Sequence, residues 1–241
     1  MTLSDYLNKR TRDLSDLVFP TKIPNISLIS GAQDEMGIAN LKQTHKAKIL
    51  SSIKQLDANY VLLDLGAGTA FNTLDFFLAA DQGVLVALPE PTSIENTYRF
   101  IKSVYHRKLK MVEELLDLGP LIDQVVNAKL SQNSTPQDLI NQVLEINPTL
   151  GGKLKMEINK FRPKIIINQA RTQADIDIGH SMHIICKKYF GIHLDYVGHL
   201  EYDATVWQSV KRRKPLLMEF PNSNLVSNFD QIVHNLLGFS T

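Results

Sequence analysis

The sequence predicts an α/β fold, a doubly wound parallel sheet flanked by helices, and three observations support it. Short, uniformly apolar segments recur along the chain, as is typical of strands buried on both faces. Segments with apolar residues at helical spacing follow most of them, and this alternation favours parallel strands joined by right-handed crossovers. The length of 241 residues, 44% of them hydrophobic, is enough to form the core of one large domain.

Five apolar segments are predicted as the strands of this sheet. They are Ile26–Ser30, Tyr60–Leu63, Gly83–Leu88, Lys164–Asn168 and Asp195–Leu200. The second is uniformly apolar and lies between two helical patterns, so we expect it in the interior of the sheet. Its carboxyl end then delivers Asp64 to the edge of the sheet where ligands bind.

Apolar residues three and four positions apart predict helices between these strands. Thr92, with Glu95 three residues later, is typical of a capping box that begins one of them. The residues before Ile26 are expected to start with a short helix or an extended lead-in. The predicted helices are Leu41–Leu56, a segment with Phe71, Leu74 and Leu78, a segment from Thr92 with Ile94, Tyr98, Ile101 and Tyr105, Ala174–Phe190, Asp203–Lys211 and Asn228–Leu237.

The segment Lys110–Arg162 interrupts the alternation of strands and helices. It contains three helical patterns but no apolar strand. The patterns are Met111–Leu130, Pro136–Ile146 and Leu150–Phe161. Pro136 follows Ser134-Thr135, and this order suits a proline in the first turn behind a cap. We therefore expect a helical insertion at about residues 110–162 within a single domain of residues 1–241.

Composition excludes several classes of protein. The net charge of +1 gives no global indication of nucleic-acid binding. The single cysteine, Cys186, rules out an internal disulfide and fits a reducing cytoplasm. No apolar run reaches the roughly 18 residues of a membrane span, and the polar N-terminus is not a secretory signal. We expect a cytoplasmic protein.

The segment around Asp64 has the features of a nucleotide site. A carboxylate at the carboxyl end of a strand can orient Mg²⁺, and the glycine turn at Gly66 and Gly68 can respond to the terminal phosphate of a nucleotide. The alternative is an acidic residue that closes an ordinary strand, followed by a turn. These residues alone do not decide between the two.

Four segments resemble the MinD/ParA family of ATPases, with most likeness to its FlhG and MinD-like regulators. They are YVLLDLGAG (60–68), GVLVALPEPTSIENTYRFIK (83–102), KIIINQAR (164–171) and YVGHLEYDATVWQSVKRRKPL (196–216). The resemblance extends from about Leu17 to about Leu237. It implies a P-loop NTPase-like fold, ATP and Mg²⁺ as ligands, a homodimer when the domain is complete, and a protein partner in a cellular positioning system.

The resemblance also implies roles for individual residues. Asp64 would hold Mg²⁺ through a water, and Gly66 and Gly68 would belong to the segment that responds to the γ-phosphate. Asn168 would read the edge of adenine, because its amide offers both a donor and an acceptor; the alternative is a polar strand end that satisfies local backbone. Glu90, between two prolines, suits a turn as well as a place in the site. The segment Leu200–Asp203 lacks the proline that relatives carry beside the base.

The phosphate-binding loop of this family has no counterpart in the sequence. Such a loop has the pattern G-x-x-x-x-G-K-[ST], whose amides and lysine hold the phosphates. The one Gly-Lys pair, Gly152-Lys153, falls in the helical insertion with no strand before it. The sequence therefore predicts an incomplete nucleotide-binding domain, a fragment that lacks its Walker A loop. The alternative is a pseudo-ATPase or interaction module that does not bind nucleotide.

Two further clusters have ordinary explanations. The basic run Lys211–Lys214 is expected to be a solvated surface, with an acidic partner, nucleic acid or anionic lipid as the alternatives. His180, His183 and Cys186 recur every three residues along one helix but lack a fourth ligand for zinc, so we expect a partly exposed helix face.

Overall fold

The computed structural model describes residues 2–8, 10–31, 41–123 and 136–238. The chain divides into two compact units, Met1–Ala80 and Asp81–Thr241. In the described part of the first unit, the helices and strands are α1 (Leu3–Leu7), β1 (Phe19–Pro20), β2 (Ser27–Leu28), α2 (Gln43–Ile53) and α3 (Phe71–Ala79). Tyr6, Leu14 and Leu17 form a small buried core in this unit, against which Leu7 and Ile53 pack.

The prediction of a buried strand at Ile26–Ser30 is wrong. Only Ser27 and Leu28 are in a strand, and they pair antiparallel with Phe19 and Pro20. Both strands of this hairpin are exposed. The apolar run is explained by a short hairpin rather than by a place in the parallel sheet.

The prediction of an interior strand at Tyr60–Leu63 is also wrong. Tyr60 is 66% exposed and Leu62 is 94% exposed. None of residues 59–69 forms a backbone hydrogen bond with another described residue. A strand requires a neighbour that pairs with its backbone groups, and no described strand pairs with this one. The apolar side chains of Tyr60 and Leu62 therefore face solvent.

A buried ion pair joins two helices of the first unit. The Nζ atom of Lys46, on α2, lies 2.6 Å from Oδ2 of Asp75, on α3, and each side chain is only 8% exposed. Opposite charges that are removed from water require such a partner, because an unpaired buried charge is strongly disfavoured. The pair therefore fixes which faces of α2 and α3 meet.

The second unit contains the parallel sheet. Its described elements, in chain order, are β3 (Val84–Ala87), α4 (Pro91–Leu116), α5 (Pro136–Ile146), α6 (Pro148–Asn159), β4 (Lys164–Ala170), α7 (Gln173–Ile185), β5 (Asp195–Glu201), α8 (Ala204–Arg212), α9 (Leu216–Glu219) and α10 (Leu225–Leu237). A π-helical turn, Cys186–Phe190, continues α7. The strand order is β3-β4-β5, and both pairings are parallel. The predicted fold class is confirmed, with three of the five predicted strands in the described sheet.

Helices cover both faces of this sheet. Ile165 and Ile167 of β4 are fully buried in a core that includes Ile101 of α4 and Met182 of α7. Ile166, which points to the opposite face, packs with Val197 of β5 and with α10. The apolar run of β4 is therefore explained by burial on both sides, as predicted for a strand of a parallel sheet.

The helix after β3 begins earlier than predicted. Its N-cap is Glu90 and Pro91 occupies the first turn, so Thr92 and Glu95 do not form a capping box. The fixed φ angle of proline suits the first helical position, where no N–H is required. Glu95 instead forms an ion pair with Arg99, one turn further along the helix.

The helical character of the predicted insertion is confirmed, but its first boundary is wrong. Residues 111–116 complete α4, which ends where Asp117 adopts a left-handed conformation, and residues 119–123 start a further helix. The rest of the predicted helix, 124–130, and the cap at Ser134-Thr135 lie outside the described residues. Helix α5 begins at Pro136 as predicted, and the described residues between β3 and β4 contain no strand.

Two neighbouring glycines of α6 give a test of how closely α5 and α6 pack. A Cβ atom at Gly151 would lie 2.3 Å from the Cα of Leu144, whereas one at Gly152 would meet nothing within 4 Å. We expect Gly151→Ala to destabilise the protein by about 1–3 kcal/mol, because the backbone of α5 must move. Gly152→Ala is the matched control and is expected to stabilise by about 0.5–1 kcal/mol. Urea unfolding of both variants measures this, and shifts of the same sign would contradict the packing.

Candidate functional site

Asp64, Gly66 and Gly68 lie on one exposed segment of the first unit. Asp64 forms no ion pair with the described residues. Gly68 has a φ angle of 109°, a conformation that side chains disfavour, and a Cβ atom at either glycine would meet nothing within 4 Å. The segment is thus an exposed turn. Its backbone at residue 68 has a conformation that only glycine adopts readily, and the carboxylate of Asp64 precedes the turn.

A single carboxylate is a limited but suitable holder for Mg²⁺. No group of three or more His, Cys, Asp or Glu side chains that could hold a metal occurs in the described ranges. Mg²⁺ commonly keeps several waters and takes only one or two protein carboxylates, with phosphate oxygens as further ligands. Asp64 therefore fits a water-mediated contact to a nucleotide-bound Mg²⁺, and does not fit a metal site built by the protein alone.

Asn168 lies in the second unit, near the carboxyl end of β4 and opposite Leu200 of β5. Its side chain is half-buried and forms no hydrogen bond with the described residues. The next residue, Gln169, has a φ angle of 62° and forms a bulge, after which Ala170 pairs with Glu201. The bulge changes the direction of the chain just before it leaves the sheet.

An open cleft of 480 Å³ lies beyond the carboxyl ends of β4 and β5. The residues that line it follow the two strands or begin α7; they are Ala170, Arg171, Thr172, Gln173, Ile176, Glu201 and Tyr202. The guanidinium carbon of Arg171 lies 3.8 Å from the ring centroid of Tyr202. Asn168 lies in β4 just before the bulge at Gln169, and its side chain does not line the cleft.

Sequence reasoning missed Arg171 and Tyr202. Both are the first residues after parallel strands, so the rule that strand carboxyl ends share one edge could have placed them together. Their stacked planar groups can hold a flat aromatic ligand, since guanidinium and phenol faces both stack on rings. The cleft therefore offers a stacking surface for a flat aromatic ring.

The N-terminus of α7 is already occupied by a carboxylate of the protein. Oδ2 of Asp175 accepts hydrogen bonds from the backbone N–H of Arg171, at 2.8 Å, and of Thr172, at 2.9 Å. The Thr172 hydroxyl oxygen accepts from the N–H of Asp175, so the two residues form a capping box. These hydrogen bonds, of which the one from the N–H of Arg171 has the largest effect, hold the pKa of Asp175 below its usual range. The backbone N–H groups of Arg171 and Thr172 are therefore not free to bind an anionic ligand.

The remaining predicted site residues have structural roles. Asp203 accepts hydrogen bonds from the N–H of Thr205, at 2.8 Å, and from the hydroxyl of Ser223, at 2.7 Å, and so caps α8. Glu90 is the exposed N-cap residue of α4. Gly152 and Lys153 lie within α6, and a helix cannot form a phosphate-binding loop at the same residues.

The helix face with His180, His183 and Cys186 is partly exposed, as predicted: His180 is exposed and His183 is half-buried. Cys186 is fully buried, and this burial raises the pKa of its thiol to about 12. Nδ1 of His183 lies 2.6 Å from the carbonyl oxygen of Leu194, which ties α7 to the start of β5. These side chains serve the packing of α7 and do not form a metal site.

The parallel sheet, its flanking helices and the cleft at its carboxyl edge define an α/β protein with a layered parallel-sheet fold. The fold is similar to that of the cell-division ATPase MinD of Pyrococcus furiosus, with a TM-score of 0.56 and 14% identity over 100% of this chain and 76% of that one. It is also similar to the septum site-determining protein MinD of Pyrococcus horikoshii, complexed with Mg-ADP, with a TM-score of 0.53 and 16% identity over 97% and 72% of the two chains. No family model and no curated protein matches the sequence.

These likenesses confirm a MinD-like fold. The finer likeness to FlhG stays a prediction, as do the roles of Asp64, Gly66, Gly68 and Asn168. No helix in the described ranges is long and apolar enough to cross a membrane.

The capping carboxylate of Asp175 gives the cleft a testable pH dependence. Because its pKa is lowered in the folded protein, its stabilisation is complete above the unfolded pKa of about 3.9 and is lost as the pH falls through the lower folded value. We expect Asp175→Asn to lower the urea midpoint at pH 7, with a difference from wild type that shrinks below about pH 4. Glu114→Gln, exposed on α4, is the control. A difference that persists unchanged in acid would contradict the assignment.

Proposed function

We propose that this chain is the nucleotide-binding domain of a MinD/ParA-like regulator, and that its described cleft receives the base of ATP or ADP. The observation that supports this most is the stack of Arg171 on Tyr202 at the carboxyl edge of the sheet, in a MinD-like fold. The neighbouring MinD of Pyrococcus horikoshii is complexed with Mg-ADP. The stack supplies a flat surface for adenine. Asn168 does not line the cleft, so a role of its amide as donor and acceptor for the edge of adenine requires its side chain to turn toward the bound base.

The phosphate end of the nucleotide has no cradle among the described residues. The sequence has no G-x-x-x-x-G-K-[ST] pattern, and Asp175 already accepts from the backbone N–H groups before α7. The family resemblance of the sequence implies that Asp64, with Gly66 and Gly68, would hold Mg²⁺ through a water, and the metal when bound would neutralise phosphate charge. This role is proposed for the first unit separately from the cleft of the second.

The open edge of β3 supports an incomplete domain. The N–H of Lys164 donates to the carbonyl of Gly83, at 2.8 Å. Since alternate residues of a parallel strand bond to the same neighbour, the backbone groups of Val84 and Val86 face away from β4. These two residues form no other backbone hydrogen bond with described residues, and Val86 is 61% exposed. We propose that a strand carrying the phosphate loop, from outside these 241 residues, pairs with this edge.

The cellular role proposed for the complete protein follows its likeness to MinD and the family resemblance of the sequence. ATP would close a homodimer and hydrolysis would release it, so that the protein acts as a switch in positioning flagella or the division site. Its protein partner belongs to that positioning system. The alternative function is a pseudo-ATPase or interaction module without nucleotide, favoured by the absence of a G-x-x-x-x-G-K-[ST] pattern from the sequence.

Calorimetric titration of the chain with adenosine, ADP and Mg-ATP tests the proposed base site. Because only the base is held, we expect the three ligands to bind with similar weak affinity and little dependence on Mg²⁺. Tyr202→Ala is expected to weaken binding by about 1–3 kcal/mol through lost stacking, and Asn168→Ala to weaken it as well. The controls are Tyr189→Ala and Asn96→Ala, which remove exposed side chains elsewhere in the second unit.

Two results would be decisive against this proposal. Failure of all three ligands to bind would favour the module without nucleotide. Binding of Mg-ATP that is more than about a hundredfold tighter than that of adenosine would mean that this chain holds phosphate after all.

Asp64→Ala tests the metal role in a form of the protein that is supplied with a phosphate loop. We expect the variant to lose Mg²⁺-dependent ATP hydrolysis while ADP binding weakens less, because the metal stabilises charge most in the transition state. Phosphate release and ADP titration measure the two effects. Asp57→Asn changes another exposed carboxylate of the same unit and should leave both ATP hydrolysis and ADP binding unaltered. Unchanged turnover in Asp64→Ala would exclude the role.

A further inference from the structure

Glu201 contributes a carboxylate to the cleft at the carboxyl ends of β4 and β5. Leu200, the residue before it, packs with Ile166 and Val197 on the side of α10. Because successive side chains of a strand point to opposite faces of the sheet, Glu201 points to the side of α7, where the cleft lies. The backbone N–H of Glu201 donates to Oδ1 of Asn228, at 3.1 Å, which holds the end of the strand in place.

The carboxylate of Glu201 is free to accept hydrogen bonds from a ligand. It forms no ion pair or hydrogen bond with the described residues. The guanidinium of Arg171 lines the same cleft, but it lies against the ring of Tyr202, 3.8 Å from the centroid. The amide nitrogen of Gln173, which also lines the cleft, already donates to Asp177 at 2.9 Å. The cleft thus contains an acceptor that these neighbouring donors leave open.

The charges of the cleft favour a neutral hydrogen-bond donor over a cation. An ionised carboxylate accepts hydrogen bonds and has no donor of its own. Arg171 brings a positive charge to the same cleft, so an ammonium group or a metal ion would be attracted by one side chain and repelled by the other. A neutral amino group on a flat ring suits both features, because the ring can stack and the amino group can donate to the carboxylate.

We propose that Glu201 determines which base the cleft accepts, by accepting a hydrogen bond from the exocyclic amino group of the base. This inference rests on the base site proposed above. Unlike the amide of Asn168, the side chain of Glu201 lines the cleft. Adenine presents such an amino group, and a hydrogen bond to an ionised carboxylate is stronger than one between neutral groups. Phosphate would be repelled by the carboxylate, so the amino edge of the base, and not the phosphate end, faces Glu201.

Two nucleosides that differ by a single amino group test this role without any change to the protein. Purine riboside is adenosine without its exocyclic amino group. In NMR titrations of the full chain, we expect adenosine to bind about tenfold more tightly than purine riboside, since a hydrogen bond to a charged group is lost. Equal affinities would overturn the role of Glu201 and leave the base site in place. Failure of both nucleosides to bind would overturn the base site and, with it, this role.

Substitutions at Glu201 assign the preference to its carboxylate. In Glu201→Ala we expect adenosine to bind about tenfold more weakly than to wild type and purine riboside to bind unchanged, so that the preference disappears. Glu201→Gln keeps an acceptor oxygen without the charge and is expected to retain a preference of about threefold. The control is Glu145→Ala, which removes an exposed carboxylate of α5 that does not line the cleft and should leave both affinities unaltered. A tenfold preference for adenosine that survives in Glu201→Ala would contradict the proposal.

Discussion

The parallel pairing of β4 with both β3 and β5 is the interaction on which the second unit depends. Ile165 and Ile167 anchor one layer of helices and Ile166 anchors the other, so a single strand connects the two cores. The register of β4 on β5 also decides which residues emerge together at the carboxyl edge. The bulge at Gln169 sets that register, because one extra residue precedes the pairing of Ala170 with Glu201.

The sequence predicted the fold well where a strand and its neighbours are both present in the chain. The segments that became β3, β4 and β5 are apolar and at least partly buried at most positions, and their periodicity contains the information needed. The segments at Ile26 and Tyr60 are equally apolar, yet they are exposed. Apolar composition indicates that burial would be favourable, but it does not indicate whether a pairing partner exists. That second condition is set by tertiary structure, and single-segment patterns do not contain it.

The candidate site could be predicted only in part, for a related reason. The position of Asn168 at a strand end follows from the length of its apolar run, and the absence of a phosphate loop follows from the sequence directly. The stack of Arg171 on Tyr202 depends on the register of β4 on β5 and on the bulge at Gln169 of β4. The exposure of Val206, Trp207 and Val210 on α8 was likewise hidden, because periodicity identifies an apolar stripe but not the direction in which it faces.

The ion pair between Lys46 and Asp75 has a consequence for how this protein can change over generations. Replacing Asp75 takes its carboxylate away from the buried ammonium of Lys46, and breaking a buried pair in this way costs about 3–5 kcal/mol. That is a large part of the roughly 5–15 kcal/mol that keeps a domain folded. Replacing both with apolar residues of similar volume is often tolerated. The two positions, 29 residues apart, are thus expected to change together, so that the opposite charges are either kept or replaced as a pair.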